Sequence, residues 1–409
     1  MNYIPELLSP AGTFENAKTA IMYGADAIYQ GLEGFSLRKG KKAEINLSEL
    51  EKCLAFTKAS QKKYYLALNI FAGNAEIEAL EKVIEQLKPL AIDAYIVSDP
   101  GIIQVMKKKH PLARLHLSTQ SNTLNYASVA FWAEQGFERI ILARELDREA
   151  IKIIKAKNPQ IQLEMFVHGA MCMAYSGRCN LSLYLNKRDA NKGECVHACR
   201  WKYSLLDPGS NPAPPFLEVE EDPEGMYIFN SNDLNLAPFI PELIKMNLNS
   251  FKIEGRNKTS YYIANVTRIY RAIIDSCLQD NNFVVPASLI SELDKVSHRD
   301  YCSGFYESNP ESNIYSAKYN KNYKMVGIIS SVTANSLVIN VRDEIKCGDA
   351  LEIILPDYTK DISFTINSML DTKKNIELNS AHNGYQIQTP FIAGDKALVD
   401  LIIRKRIEV

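Results

Sequence analysis

The sequence predicts an α/β protein: a (β/α)8 barrel of the TIM type with a cysteine-bearing insertion, followed by a small C-terminal antiparallel β-barrel. Three observations predict it. Between residue 4 and about residue 280, eight short β-rich runs alternate with amphipathic helical stretches, the pattern of βα units. No Gly-x-Gly-x-x-Gly follows the first run, as a doubly wound dinucleotide-binding sheet would have. Beyond about residue 322, strand-like runs follow one another without helices between them.

The eight runs are Glu6–Leu8, Ala27–Gln30, Tyr64–Asn69, Ala94–Ser98, Arg114–Thr119, Arg139–Ala143, Gln162–Val167 and Ser250–Glu254. Between them lie helical stretches such as Leu47–Ala59, Ile77–Leu87 and Tyr261–Leu278. In the last of these, Ile263, Val266, Tyr270, Ile273 and Cys277 recur at helical spacing. Helices cover the outside of such a barrel, so the outward side chains of each strand must be apolar and the other parity faces the lumen. Leu115 and Leu117 then point out, and His116, Ser118 and Gln120 point in. In the seventh strand Glu164, Phe166 and His168 face in; in the eighth, Lys252, Glu254 and Arg256 do. A lumen built only for stability would be Val, Ile and Leu. This one is polar toward the C-terminal mouth, where such barrels place their chemistry.

The barrel domain is expected to span residues 1–305. Two segments interrupt it: an irregular cysteine-bearing loop at 169–203 and a Pro-rich acidic stretch at 207–225 that reads as a mobile loop. Met226–Asn230 reads as an extra strand outside the barrel. Residues 306–322, rich in Ser, Asn and Tyr, read as a linker, and 323–409 as the C-terminal β-barrel. Its strands are expected at Val326–Val332, Ser336–Val341, Ala350–Leu355, Ile362–Met369, Tyr385–Pro390 and Ala397–Ile403.

Bulk properties narrow the function classes. The 409 residues are 46% hydrophobic and 23% charged, with a formal net charge of −1. Any nucleic-acid binding must therefore come from a local basic patch. The opening MNYIPELLSPAG lacks the basic and apolar regions of a signal peptide, and no run is long enough to span a membrane. A cytoplasmic protein is expected, in which clustered cysteines point to metal or catalysis and not to disulfides.

Four of the eight cysteines, Cys172, Cys179, Cys195 and Cys199, fall within 28 residues, where uniform scatter would put about half a cysteine. Their spacing is C-x6-C-x15-C-x3-C, in a loop with Gly169, Gly177 and Gly193 to turn the backbone. Four thiolates can surround a zinc ion or an iron–sulfur cubane. Zinc sites favour pairs two to four residues apart, and only the last pair is that close, so the wider gap suits a polynuclear centre better. On spacing, zinc and simple buried or catalytic thiols stay open. Cys53, Cys277, Cys302 and Cys347 read as small hydrophobes. Nearby, Lys187–Lys202 holds Lys187, Arg188, Lys192, Arg200 and Lys202 against Asp189 and Glu194, a local +3 beside Trp201 and Tyr203. Basic residues interleaved with aromatics can hold phosphates and stack a splayed base. A solvated charged loop is the plain alternative.

Residues Glu164–Ser182, EMFVHGAMCMAYSGRCNLS, resemble the signature of the collagenase-like peptidase family of unassigned catalytic type: Glu164, Phe166, Gly169, Ala170, Cys172, Gly177, Cys179 and Ser182 all fall on it. LLSPAG at the start, HLSTQ in the fifth strand and FKIEGR in the eighth are similar to that family too. First described as proteases, its better-understood members hydroxylate RNA or a quinone precursor and hold a [4Fe–4S] cluster on four cysteines. The resemblance implies that Cys172, Cys179, Cys195 and Cys199 are such ligands here. It is nearest to the tRNA branch, which makes 5-hydroxyuridine at the wobble position with prephenate as a required small dicarboxylate. A single barrel of this size and the C-terminal β-barrel favour that branch over the ribosomal-RNA and quinone branches.

Hydroxylating a pyrimidine at C5 needs redox chemistry that side chains alone do not supply, so a metal cofactor is expected. His168 is a candidate proton carrier near the cysteines, with a histidine that caps the strand end by hydrogen bonding as the alternative, and Glu164 and Glu254 are candidate acids or bases. For Glu164, a buried ion pair with Lys252 or Arg256 is the favoured alternative. Arg256, with Arg144 second, is placed to grip a carboxylate such as that of prephenate, because a guanidinium fork suits one. Gln120 joins them as a substrate contact, and Arg200 and Lys202 as RNA contacts. Two other functions compete. A peptidase would pair Cys172 with His168 as nucleophile and base, although neither a Gly-x-Ser-x-Gly nor a His-Glu-x-x-His occurs. A zinc-stabilised RNA-binding module would use the cysteines without catalysis, which leaves the polar lumen unexplained.

Overall fold

A computed structural model describes residues 4–38, 44–201, 231–307, 319–391 and 398–407. The acidic loop, Met226–Asn230, Lys202 and much of the expected linker lie outside the described residues. Eight parallel strands close into a barrel: β1 (Glu6–Pro10), β2 (Ala27–Leu32), β3 (Lys63–Leu68), β4 (Ala94–Val97), β5 (Leu115–Leu117), β6 (Arg139–Ile141), β7 (Gln162–Ala170) and, after a three-residue strand β8 (Asp233–Asn235), β9 (Ser250–Ile253). Pairing of β9 with both β1 and β7 completes the ring. All eight strands coincide with the runs expected from the sequence. Strand β8 and a two-residue strand β10 (Tyr301–Cys302) do not. They pair in parallel with each other, and β8 runs antiparallel to the end of β7.

Side-chain parity explains the ring. One residue from each barrel strand, Leu7, Ile28, Leu66, Val97, Leu117, Ile140, Leu163 and Phe251, is fully buried in the layer between strands and helices. The helix Ser260–Gln279, capped by the Thr259 hydroxyl, lays its apolar stripe on that layer. Ser9 meets Thr267 on the same side at 3.0 Å. The opposite parity fills the lumen with charge. Arg139 binds Glu6 and, at 3.1 Å, Glu164; Lys252 meets Glu164 at 3.0 Å. Tyr65 donates to Glu6 at 2.8 Å. These groups form a closed ion network across the barrel.

The C-terminal module is a curled eight-stranded antiparallel sheet. Its hairpin Tyr323–Val332/Ser336–Val341 is central, and Ile402–Arg406 pairs with the first strand of that hairpin. The expected run Ile362–Met369 is split between the strands Ile362–Thr365 and Met369–Asp371. The module docks on the barrel through buried charge. Arg268, fully buried, forks onto Asp361 at 2.6 and 3.0 Å, and Arg404 reaches Glu292 at 3.2 Å. The Tyr23 hydroxyl donates to the Ile354 carbonyl at 2.9 Å. Among the described residues no helix is long and apolar enough to cross a membrane.

Candidate active site

At the C-terminal end of β7 the chain leaves the barrel into the cysteine loop. Gly169 makes the exit possible: its φ is +109°, and a Cβ there would stand 2.6 Å from the Glu254 carbonyl. The loop is built from tight turns, Tyr175–Gly177, Ala190–Lys192 and Ala198–Arg200, and one short helix, Leu181–Asn186. Left-handed backbone at Ser176, Lys187, Gly193 and His197 folds it back on itself. Cys172, Cys179, Cys195 and Cys199 thereby line one cavity of about 260 Å³, together with Leu37, Arg38, Gln120 and Arg144 from the barrel mouth. All four are free thiols.

Backbone amides point at the sulfurs: Leu181 N–H to Cys179 Sγ at 3.3 Å and His197 N–H to Cys195 Sγ at 3.4 Å. Such N–H···S contacts favour thiolate or cluster sulfur over neutral thiol. Burial, reinforced by the neighbouring cysteines and only partly offset by Arg200, pushes the Cys199 thiol up to about 11. Burial raises Cys179 as well. Four thiolates on one tetrahedral zinc stand about 3.8 Å apart. Among the described residues, no three His, Cys, Asp or Glu side chains stand close enough to share a single ion.

Beneath this cavity, inside the lumen, lies a second, of about 50 Å³, lined among others by Tyr29, Ser118, Phe166, Lys252, Glu254 and Arg256. The two cavities share Leu37, Arg38, Gln120 and Arg144, which form the partition between them. Arg144 lies 4.2 Å over the Phe166 ring and donates to the Ala170 carbonyl at 3.1 Å. Arg256 bonds the Ser36 hydroxyl. Arg38 approaches Glu254 at 3.5 Å. Burial pushes the Glu254 carboxyl up, but Arg38, Arg144 and Arg256 together outweigh it and hold the group below the ordinary carboxylate range. Three guanidiniums thus face one resident carboxylate. The buried Nε of Arg144 and Oε1 of Gln120 have no hydrogen-bond partner, which marks the partition as a place where a polar ligand would be satisfied.

Of the residues singled out in the sequence, Gln120, Arg144, Glu254, Arg256 and the four cysteines are brought together. His168 is not. A bulge in β7 lets Phe166 pair with Lys252 but His168 with Ile253, so parity inverts after Phe166 and His168 points away from the lumen. Its two ring nitrogens meet the hydroxyls of Tyr270 (3.3 Å) and Tyr301 (3.4 Å). Burial pushes its pKa down to about 3. It is a neutral strut between barrel and outer layer, and the Cys172–His168 pair that a cysteine peptidase would need is not formed. Glu164 lies deeper than either cavity, paired with Arg139 and Lys252 and not with Arg256. Its place is in the lumen network. Arg200 donates to the Tyr319 hydroxyl at 3.1 Å, outside both cavities, and Lys202 lies outside the described residues. Arg38 was missed by the sequence reading. It sits in the loop after β2, three residues past the apolar Phe35, where no strand periodicity flags it.

A closed (β/α)8 barrel with a four-cysteine cavity over an arginine-lined lumen, backed by an antiparallel β module, defines the architectural class. The particular family follows from comparison with known proteins: residues 12–315 match peptidase family U32 and residues 321–404 match the peptidase family U32 C-terminal domain. The chain belongs to that family. It is 34% identical to tRNA hydroxylation protein P of Escherichia coli, over 94% of this chain and 93% of that one. It is 36% identical to tRNA hydroxylation protein P1 of Bacillus subtilis, over 94% and 90%. A third relative, the 23S rRNA 5-hydroxycytidine C2501 synthase of Escherichia coli, is 30% identical over 90% of this chain and 55% of its own length.

Proposed function

We propose that this chain is an RNA hydroxylase, acting in the cytoplasm on the wobble uridine of tRNA to give 5-hydroxyuridine, with a [4Fe–4S] cluster as resident cofactor and prephenate as co-substrate. The observation that carries the reading is the shared partition. A cage of four cysteines and a pocket of three arginines meet at Arg38, Gln120 and Arg144, so a redox centre and a dicarboxylate would be held side by side. The names of the relatives, in tRNA and ribosomal-RNA hydroxylation, support the RNA part.

Cys172, Cys179, Cys195 and Cys199 would hold the cluster, which would supply the electron-transfer capacity that side chains lack. A bound cation reverses the burial effect on the thiols and keeps them as thiolates. Arg256 and Arg144 would each take a carboxylate as a fork, and Arg38 would lie between that anion and Cys172. Held ionised by the arginines, Glu254 pairs with Arg38 and is a weak base. Removing water from this pocket strengthens each of these contacts.

Nucleoside analysis of tRNA from a strain lacking this gene tests the proposal. Loss of the 5-hydroxylated wobble uridine is expected, with restoration by the wild-type gene and not by Cys195→Ala. An unchanged nucleoside profile would overturn the tRNA assignment whatever the cofactor.

A further inference from the structure

The rim of the cysteine cavity leaves large apolar side chains in water. Residues 183–188, Leu-Tyr-Leu-Asn-Lys-Arg, are exposed without a break, and Tyr184 is 79% exposed. Tyr175 is 53% exposed, with Met173 and Trp201 exposed nearby in the loop. Single apolar residues on a surface are ordinary, but a contiguous set bordering a cavity marks a binding surface.

Tyr175 is pinned in place. The next residue, Ser176, adopts left-handed backbone (φ 43°), which a serine does not take unaided. Its N–H and its hydroxyl both bind the Glu145 carboxylate, and Asn122 Nδ2 donates to the Tyr175 carbonyl at 3.2 Å. Ala174 and Ser176, either side of Tyr175, line the cavity. Another part of the same wall is Leu181 and Ser182, in the first turn of the helix that carries Tyr184. Ser182 is buried and accepts from Val196 N–H at 3.2 Å, which anchors that helix beside Cys195. Two exposed tyrosines on anchored backbone thus border one opening. Their loop, residues 171–201, carries Arg178, Lys187, Arg188, Lys192 and Arg200 against Asp189 and Glu194, a local excess of +3 on a chain whose net charge is −1.

We propose that this rim docks a single-stranded RNA loop. Tyr175 and Tyr184 stack the bases flanking the one presented to the cavity, and Lys187 and Arg188 meet the backbone phosphates. The inference rests on RNA being the substrate and assigns the residues that hold it. Every base has a π face, so stacking on exposed tyrosines tolerates any sequence, and a pinned platform loses little freedom on binding. The positive excess suits a phosphate backbone. A paired stem hides its base faces, so the surface selects splayed, unpaired nucleotides.

Fluorescence anisotropy on anaerobically purified full-length protein tests this, using a labelled RNA hairpin with a uridine-bearing loop and a blunt duplex of the same stem. Tyr175→Ala and Tyr184→Ala are each expected to weaken hairpin binding about tenfold. Duplex binding and the visible absorbance of the protein should stay as in wild type, and Tyr184→Trp should retain hairpin binding. Wild-type hairpin affinity in both alanine variants overturns the proposal, as does equal loss on hairpin and duplex. An altered oligomeric state in sedimentation would make the rim a protein contact and overturn it too. If hairpin binding depends on the tyrosines while tRNA nucleosides are unaltered in the deletion strain, the docking surface stands and the tRNA assignment falls.

Discussion

Glu164→Gln removes the negative charge from the centre of the lumen network. In the wild type the Glu164 carboxylate takes Arg139 at 3.1 Å and Lys252 at 3.0 Å. Arg139 still has Glu6 after the change, but Lys252, 3% exposed, loses its counter-charge and keeps only a neutral amide acceptor and the rings of Tyr29 (4.3 Å) and Phe166 (5.4 Å). Breaking a buried pair by removing one partner costs about 3–5 kcal/mol. At about 2.1 cal/mol/K per residue over a barrel of roughly 300 residues, that lowers the melting temperature by about 5–8 °C.

The loss should depend on pH with a definite sign. Burial lowers the Lys252 ammonium below its ordinary value, and Glu164 opposes the lowering. Without Glu164 the lowering deepens. The folded variant then releases the lysine proton at a lower pH than the unfolded chain does, so between those values the unfolded state binds more protons and stability rises with pH. The deficit relative to wild type therefore narrows as the pH rises toward the ordinary lysine value of about 10.4. Denaturant unfolding of both proteins across that range measures it. A loss under about 1 kcal/mol, or a deficit that does not narrow, would refute the reasoning. A variant of wild-type stability that cannot turn over substrate would instead put Glu164 in the chemistry.

His168, whose folded pKa lies near 3 against an ordinary 6.5, makes the unfolded chain the better proton acceptor between those values. Its contribution to stability is then present above about pH 6.5 and lost as the pH falls toward 3, at up to about 1.4 kcal/mol per unit. His168→Gln should flatten acid unfolding in that window; an acid limb in kcat that disappears in this variant would contradict the placement. Arg256→Lys keeps the charge and loses the fork, so KM for prephenate should rise about tenfold with little change in kcat, measured by steady-state kinetics. An unchanged KM would remove Arg256 from the carboxylate site.

The barrel was legible because its strands carry two signals at once: β-rich runs at βα spacing, and a parity that separates Leu115 and Leu117 from His116 and Ser118. Glu254, Arg256 and Gln120 reached the lumen mouth on parity alone. His168 did not, because a single extra residue after Phe166 inverts parity without changing composition, and no pattern in one sequence announces a bulge. Strands β8 and β10, three and two residues long, are shorter than any alternation that could reveal them. Arg38 and Arg139 illustrate two further blind spots. Arg38 enters the site from a loop, where direction is set by tertiary contacts. Arg139 opens an otherwise apolar strand, and only its inward parity, shared with Ile141, could have flagged it as the partner of Glu164.

Iron, acid-labile sulfide and zinc analysis of anaerobically purified protein, carried through single alanine variants of the cysteines, tests the central claim most directly. The account predicts about four irons and four sulfides per chain and a brown protein. Colour and iron should be lost in each of Cys172→Ala, Cys179→Ala, Cys195→Ala and Cys199→Ala, and kept in Cys302→Ala and Cys347→Ala. Stoichiometric zinc in a colourless protein, or full iron content after Cys195→Ala, would contradict it.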